Sequence, residues 1–220
     1  MPNAKITVKD VGKKIISEYS FVLSFILLVI IAASVNKNFF TWTNISNIFV
    51  QSSMIGLIAM GMSMVISAGQ IDISVGSQVA FIGGFGILVL NYTRSVWVML
   101  AFCCAVGIAL GAINGLLVTK GGMPSMIATM AMQSACRSVI NHFGSGGPFT
   151  VDSELYESFR MLAVGGIEIG PSFKIPYLMI IFIVFVIIFD NIMRNTKLGK
   201  HVYAVGSNEV SARLSGINVD

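Results

Sequence analysis

The sequence predicts an all-α protein: a polytopic bundle of about six transmembrane helices, with both termini on the cytoplasmic side. Three observations lead there. Of the 220 residues, 55% are hydrophobic and only 11% are charged, where a soluble domain carries about 25% charged residues. The mean hydropathy is +0.84, so the chain cannot clothe itself in polar surface and must turn its apolar excess toward lipid or other helices. The apolar residues also fall into six runs, near 19–35, 48–68, 73–91, 96–118, 123–143 and 176–193. These match the ~17–25 residues that cross a hydrocarbon core. In lipid the backbone must satisfy its own hydrogen bonds, which makes the runs helices. None alternates as a β-barrel strand would.

Taken in order, the first run follows Lys5, Lys9, Lys13 and Lys14. That pattern suggests a signal peptide, but the run is too long for one and more follow, so it reads as a retained first span. The second holds Met54, Met60, Met62 and Met64, read as packing with a substrate-slipping surface as the alternative. The third carries Gly76, Ala80 and Gly84, and the fourth Gly107, Gly111 and Gly115, each set at a spacing of four. Lipid supplies no hydrophobic drive between helices, so small residues on one face mark close helix seams; a glycine-lined conduit is the other reading. The first four runs lack Asp, Glu, Lys and Arg, the fifth contains Arg137, and the sixth stays uncharged until Asp190. The long connection 144–175 opens with Gly144, Gly146, Gly147 and Pro148, then turns acidic with Asp152, Glu154, Glu157 and Glu168. It reads as an external loop with room for a surface helix near 152–162.

Basic residues orient the bundle. With the amino terminus inside, nine basics fall inside (Lys5, Lys9, Lys13, Lys14, Lys120, Arg194, Lys197, Lys200, Arg213) and four outside (Lys37, Arg94, Arg160, Lys174). The expected organisation is a transmembrane region over 1–193 and a cytoplasmic segment over 194–220.

Several function classes drop out. The net charge is +4, but the basic residues are scattered between spans, which argues against nucleic acid. Cys103, Cys104 and Cys136 lie inside apolar runs without metal-ligand spacing. His142 and His201 are isolated. There is no Gly-x-x-x-x-Gly-Lys-Ser/Thr loop, no His-Glu-x-x-His and no carboxylate cluster. No catalytic residue, metal or cofactor is expected, and any ATP hydrolysis must come from a partner.

Two segments remain. Gly69-Gln70-Ile71-Asp72-Ile73-Ser74-Val75-Gly76 joins the second and third spans with almost no loop. A carboxylate this deep costs roughly 2.5–3.5 kcal/mol on insertion scales. Asp72 should therefore cap the following helix, serve gating or transport, or do both. The second segment is 194–219, basic and then mixed, with Asn208 placed to cap a short helix around 208–215. Its combination of Gly, Tyr, Asn and Arg suggests a docking surface for a soluble protein.

Both segments resemble the permease subunit of ribose/xylose-type ABC sugar importers. That family carries Gly-Ile-Asp-Leu-Ser-Val-Gly between early spans, here Gln70-Ile71-Asp72-Ile73-Ser74-Val75-Gly76. It also carries Thr-x-x-Gly-x-x-x-Tyr-Ala-x-Gly-x-Asn, here Thr196, Gly199, Tyr203, Ala204, Gly206 and Asn208, and then Arg-Leu-Ser-Gly-Ile-Asn-Val, here Arg213 to Val219 with Gly216. Pro124 to Thr129 and Asn38-Phe39-Phe40 with Asn44 and Asn47 are weaker matches. The resemblance implies a permease in a bacterial inner membrane, paired with a second copy. It implies an extracytoplasmic sugar-binding protein and a cytoplasmic ATP-binding subunit docked on 194–216.

Three departures stand out. Gln70 replaces a glycine, Ser138 follows Arg137 where the family has glycine, and the chain stops at Asp220 where members continue. A truncated, non-transporting fragment that still binds the ATPase is therefore one alternative. An ion-coupled transporter is another, disfavoured because only Arg137 and Asp72 offer ionisable groups in or beside the spans. Gln51, Gln78, Asn114 and Gln133 are either interhelical hydrogen-bonding groups or sugar contacts.

Overall fold

A computed structural model describes residues 8–168 and 174–219; Lys5 and Asp220 lie outside them. Helix α1 runs Val8–Val35 and is broken by a non-helical Tyr19 (φ −117°, ψ 19°), where the apolar run begins. Then come α2 (Trp42–Ser67), α3 (Val75–Thr93), α4 (Val96–Thr119) and α5 (Ser125–Phe143). A shorter α6 (Tyr156–Val164) leads through strands β1 (Gly166–Glu168) and β2 (Lys174–Pro176) into α7 (Tyr177–Asn195). Helices α8 (Lys197–Ser207) and α9 (Glu209–Leu214) close the described chain.

Every apolar run is helical. Four helices, α2, α3, α4 and α7, are long and apolar enough to cross a membrane, and Tyr19–Val35 is a shorter apolar helix. Helix α5 is long enough at 19 residues but carries Ser125, Thr129, Gln133, Arg137 and Asn141. It can cross lipid only with those groups turned to protein or water. The acidic connection holds its surface helix at Tyr156–Val164, later than 152–162. The all-α expectation holds, with one short hairpin added to it. Strands β1 and β2 pair antiparallel with Ile167 opposite Ile175, where Gly166 lets the strands meet because a Cβ would strike the Ile175 carbonyl.

Two sets of helices emerge. Helix α3 packs on α4 and α5, while α2 packs on α7 and α8. Glycine makes both approaches possible. A Cβ on Gly86 would lie 2.7 Å from the Cys103 sulfur, and one on Gly84 would lie 2.5 Å from Ile140 and 2.9 Å from the Phe149 ring. On the other side Gly56 receives the Phe182 ring. The buried apolar centre is small and lies mostly in the first set: Leu90, Met99, Ala128, Cys136 and Ile140. Elsewhere the apolar side chains stay exposed, as Phe21 at 83% and Ile108 at 74% show. Lipid, in place of a protein core, absorbs such surface.

Candidate functional site

The segment between α2 and α3 is built around Ser74, which is fully buried. Helix α2 ends at Ala68, whose N–H donates to the Met64 carbonyl at 3.0 Å. Gly69 then takes φ +78°, the left-handed conformation that glycine adopts without a Cβ clash. The positive φ falls on Gly69 and not on the next residue, so Gln70 stands where glycine is not required. Residues 70–74 are extended or irregular, and α5 satisfies their backbone. The Ile71 N–H donates to Ser125 Oγ at 3.3 Å and the Ile73 N–H to Thr129 Oγ1 at 3.2 Å.

Asp72 Oδ1 accepts the Ser74 N–H at 2.8 Å and the Ser74 hydroxyl at 2.5 Å. The same hydroxyl oxygen accepts from Gln78 Nε2 at 2.7 Å and from Asn114 Nδ2 at 3.0 Å. Asn114 also reaches Asp72 Oδ2 at 3.5 Å. One donor and two acceptor positions are all a hydroxyl has, so Ser74 is saturated. Asp72 thus acts one step upstream of the helix start: it holds Ser74, the residue that begins α3, and through it ties α3 to α4. Asn114, read in the sequence as an interhelical hydrogen-bonding group or a sugar contact, makes the interhelical bond; its amide lies 40 positions from Ser74, and no local pattern signals which partner it finds. Its Oδ1 is buried with no hydrogen-bond partner among the described residues. Around Gly76 nothing among the described residues comes within 4 Å of a Cβ position.

The segment after α7 forms two helices. Thr196 caps α8 by accepting the Gly199 N–H at 3.4 Å, while its hydroxyl donates to the Ile192 carbonyl at 2.6 Å. Gly199 is buried at the corner, where a Cβ would collide with the Met193 carbonyl. Asn208 caps α9 by accepting the Ser211 N–H at 2.8 Å. Arg213 pairs with Glu209 at 3.3 Å, and Gly216 (φ +79°) terminates the helix. Ala204 is half-buried and Tyr203 is 51% exposed. Leu198, Val210 and Leu214 are, like Tyr203, exposed apolar side chains on the two helices.

Gly206 joins the two regions. A Cβ there would collide with the Ser67 carbonyl oxygen, and the Gly206 backbone lies 3.5 Å from the Cβ position of Gly69. Helix α8 therefore rests directly on the end of α2 and on Gly69, three residues before Asp72. Of the α4 glycines, Gly107 meets Ile82 at 3.6 Å, whereas Gly111 and Gly115 have nothing within 4 Å among the described residues. At the opposite end of α3, Arg94 pairs with Asp152 at 3.2 Å and Glu154 at 2.9 Å. Asn91 binds the backbone of Thr150 and Asp152 there. Among the described residues no three His, Cys, Asp or Glu side chains gather to hold a metal.

Residues 44–220 match the family described as branched-chain amino acid transport system / permease component. The chain belongs to this permease family. It is 34% identical to the ribose import permease protein RbsC of Escherichia coli over 208 residues, covering 92% of this chain and 62% of that protein. It is 31% identical to the L-arabinose ABC transporter permease protein AraH of Azospirillum brasilense, covering 94% of this chain and 58% of that one. The fructose import permease protein FruF of Bifidobacterium longum is also 31% identical, over 89% and 57% respectively. The chain thus spans roughly three-fifths of the length of these relatives. No solved structure matches it. Family and apolar helices together make this permease a multi-pass protein of the bacterial inner membrane.

Proposed function

We propose that the chain is a membrane-spanning subunit of an ATP-driven monosaccharide importer. In this reading it contributes to the translocation path beside a second copy and performs no bond chemistry itself. A separate cytoplasmic ATPase docks on α8 and α9, and an extracytoplasmic binding protein delivers the sugar. Both termini face the cytoplasm, which puts α8 and α9 inside and the 144–175 connection outside. The relatives' sugar-import names support the substrate class.

The observation that carries the coupling is the seat of Gly206 on Ser67 and Gly69. A partner moving α8 pushes on backbone, without a flexible side chain between, and the pushed segment leads into the Asp72–Ser74 node. Coupling requires the ATPase to bind one arrangement of this unit better than another. Its exposed Leu198, Tyr203, Val210 and Leu214 supply the apolar contact. The test is reconstitution with the ATPase and binding protein encoded beside the gene. Sugar accumulation in vesicles should require ATP and persist with a protonophore. Uptake abolished by the protonophore alone would instead indicate ion coupling.

A further inference from the structure

Among the described residues, helix α1 stands outside both packed sets of helices. Its apolar run from Tyr19 to Val35 is largely exposed, with Phe25 at 60% and Leu28 at 65%, as a lipid-facing span should be. The whole helix is 28 residues long, about 42 Å at 1.5 Å per residue, against a hydrocarbon core of about 30 Å. The apolar run takes up about 26 Å of that length, so most of residues 8–18 lie beyond the core. The helix breaks at Tyr19, where the two parts meet, and tyrosine is a residue type that gathers at the membrane–water interface. We propose that residues 8–18 form an interfacial helix lying on the membrane surface, with anionic lipid headgroups gathered at Lys9, Lys13 and Lys14.

The pattern of 8–18 fits that place. At 3.6 residues per turn, Val8, Val11, Gly12, Ile15 and Ile16 share an arc of about 140°. Lys9, Asp10, Lys13, Lys14, Ser17 and Glu18 fill the rest of the turn. A helix with one apolar face and lysines on the other sinks its apolar face ~5–10 Å into the headgroup boundary. Continued straight along the span axis, the segment would carry four aliphatic residues into water. Turned at the Tyr19 break, it seats them in the interface. Lysine stems lie along an apolar boundary while their ammonium groups reach the headgroup phosphates. Asp10 and Glu18 offset two of the three positive charges. The preference for anionic over zwitterionic lipid is therefore modest, about 5-fold. A soluble protein would need an apolar, acidic groove brought up to the interface. Lipid is already there, continuous with the surface that covers the span. The segment lies outside residues 44–220, the part matched to the permease family, and the proposal goes beyond the transport reading without depending on it.

The experiment uses the whole chain in nanodiscs of phosphatidylcholine alone, or of phosphatidylcholine and phosphatidylglycerol in equal parts. Cys103, Cys104 and Cys136 are replaced by serine, and a spin label is attached through Ile15→Cys or Lys13→Cys. In the mixed lipid the label at position 15 should be open to oxygen and shielded from a water-soluble nickel chelate, and the label at position 13 the reverse. Shielding at position 15 should be about 5-fold weaker in phosphatidylcholine alone, and Lys9→Gln with Lys13→Gln should lower the mixed-lipid value to that level. Because Cys136 is buried and its replacement could disturb packing, the wild-type protein gives a second measurement. Trypsin should cut after Lys13 and Lys14 about 5-fold more slowly in the mixed lipid, and Ile15→Asp should abolish that protection. Equal chelate access at the two positions or equal protection in the two lipids would overturn the proposal. So would shielding that arises only when the ATPase encoded beside the gene is added, which would make 8–18 a protein-docking helix. Each of these outcomes leaves the transport reading untouched.

Discussion

Ser74 and Ser77 stand three positions apart and are both buried, yet their hydroxyls have opposite roles. Ser74 donates to Asp72 and accepts from Gln78 and Asn114. Ser74→Ala strands three polar groups at once. Hydrogen bonds within membrane proteins average about 0.6 kcal/mol, so a loss of about 2 kcal/mol is expected. Ser77→Ala strands no group among the described residues and should stay within about 0.5 kcal/mol. Denaturation of the two variants in the same detergent checks the contrast; equal losses would contradict the network. Asp72 was legible from the sequence because a carboxylate beside an apolar run is costly and stands out. Asn114 was legible as an interhelical hydrogen-bonding group, but its partner and that of Thr129 were not, since they lie 40 and 56 positions away and only the packing of α3 with α4 and α5 brings them together.

Helix α8 is the element that sequence reading passed over, taking 194–207 as part of a basic docking segment with its helix only near 208–215. Thr196 with Gly199 three residues on was the available signal, a capping residue opening a helix. What the spacing could not reveal is which way Gly206 faces. It meets α2, so Gly206→Ala should push α8 off Ser67 while leaving the exposed Tyr203 and Leu198 surface in place. The expected outcome is retained ATPase capture with sugar uptake reduced at least ~10-fold, the cost of a steric misfit of ~1–3 kcal/mol. Capture lost together with uptake would place Gly206 in the docking surface. Helix α9 depends on its cap in a simpler way. Asn208→Ala removes the acceptor for the Ser211 N–H, at a cost of about 1 kcal/mol. Amide exchange across 209–214 should then quicken roughly 5-fold, without a change at α3.

At the scale of the molecule, α3 is held at both ends: Ser74 sits in the polar node, and Arg94 anchors the following connection through Asp152 and Glu154. The Arg94 pairs are exposed, so each contributes less than ~1 kcal/mol and weakens with salt. Arg94→Ala should therefore leave the midpoint of unfolding nearly unchanged but hasten proteolytic cleavage within 150–155. Wild-type protein in high salt should show the same acceleration; an unaffected cleavage rate would mean that Asn91 alone holds the loop. The exposed Gly111 and Gly115 are the counterpart at this scale. Their spacing was readable as a seam, yet within the described chain only Gly107 meets a neighbour, because spacing defines a face and not its occupant.

The sequence by itself determined the class of protein, the helical runs and the two segments that matter. Hydropathy, charge placement and cap residues act locally, and lipid compels any long apolar run to satisfy its own backbone. Only the tertiary structure decided what those segments touch. It seated Gly206 on Ser67 and enclosed Ser74 between Asp72, Gln78 and Asn114. It also brought Ser77, Arg137 and Asn141 to one cavity between α3 and α5. Such contacts depend on how helices cross, which close packing and long-range hydrogen bonds set between residues that no local pattern connects.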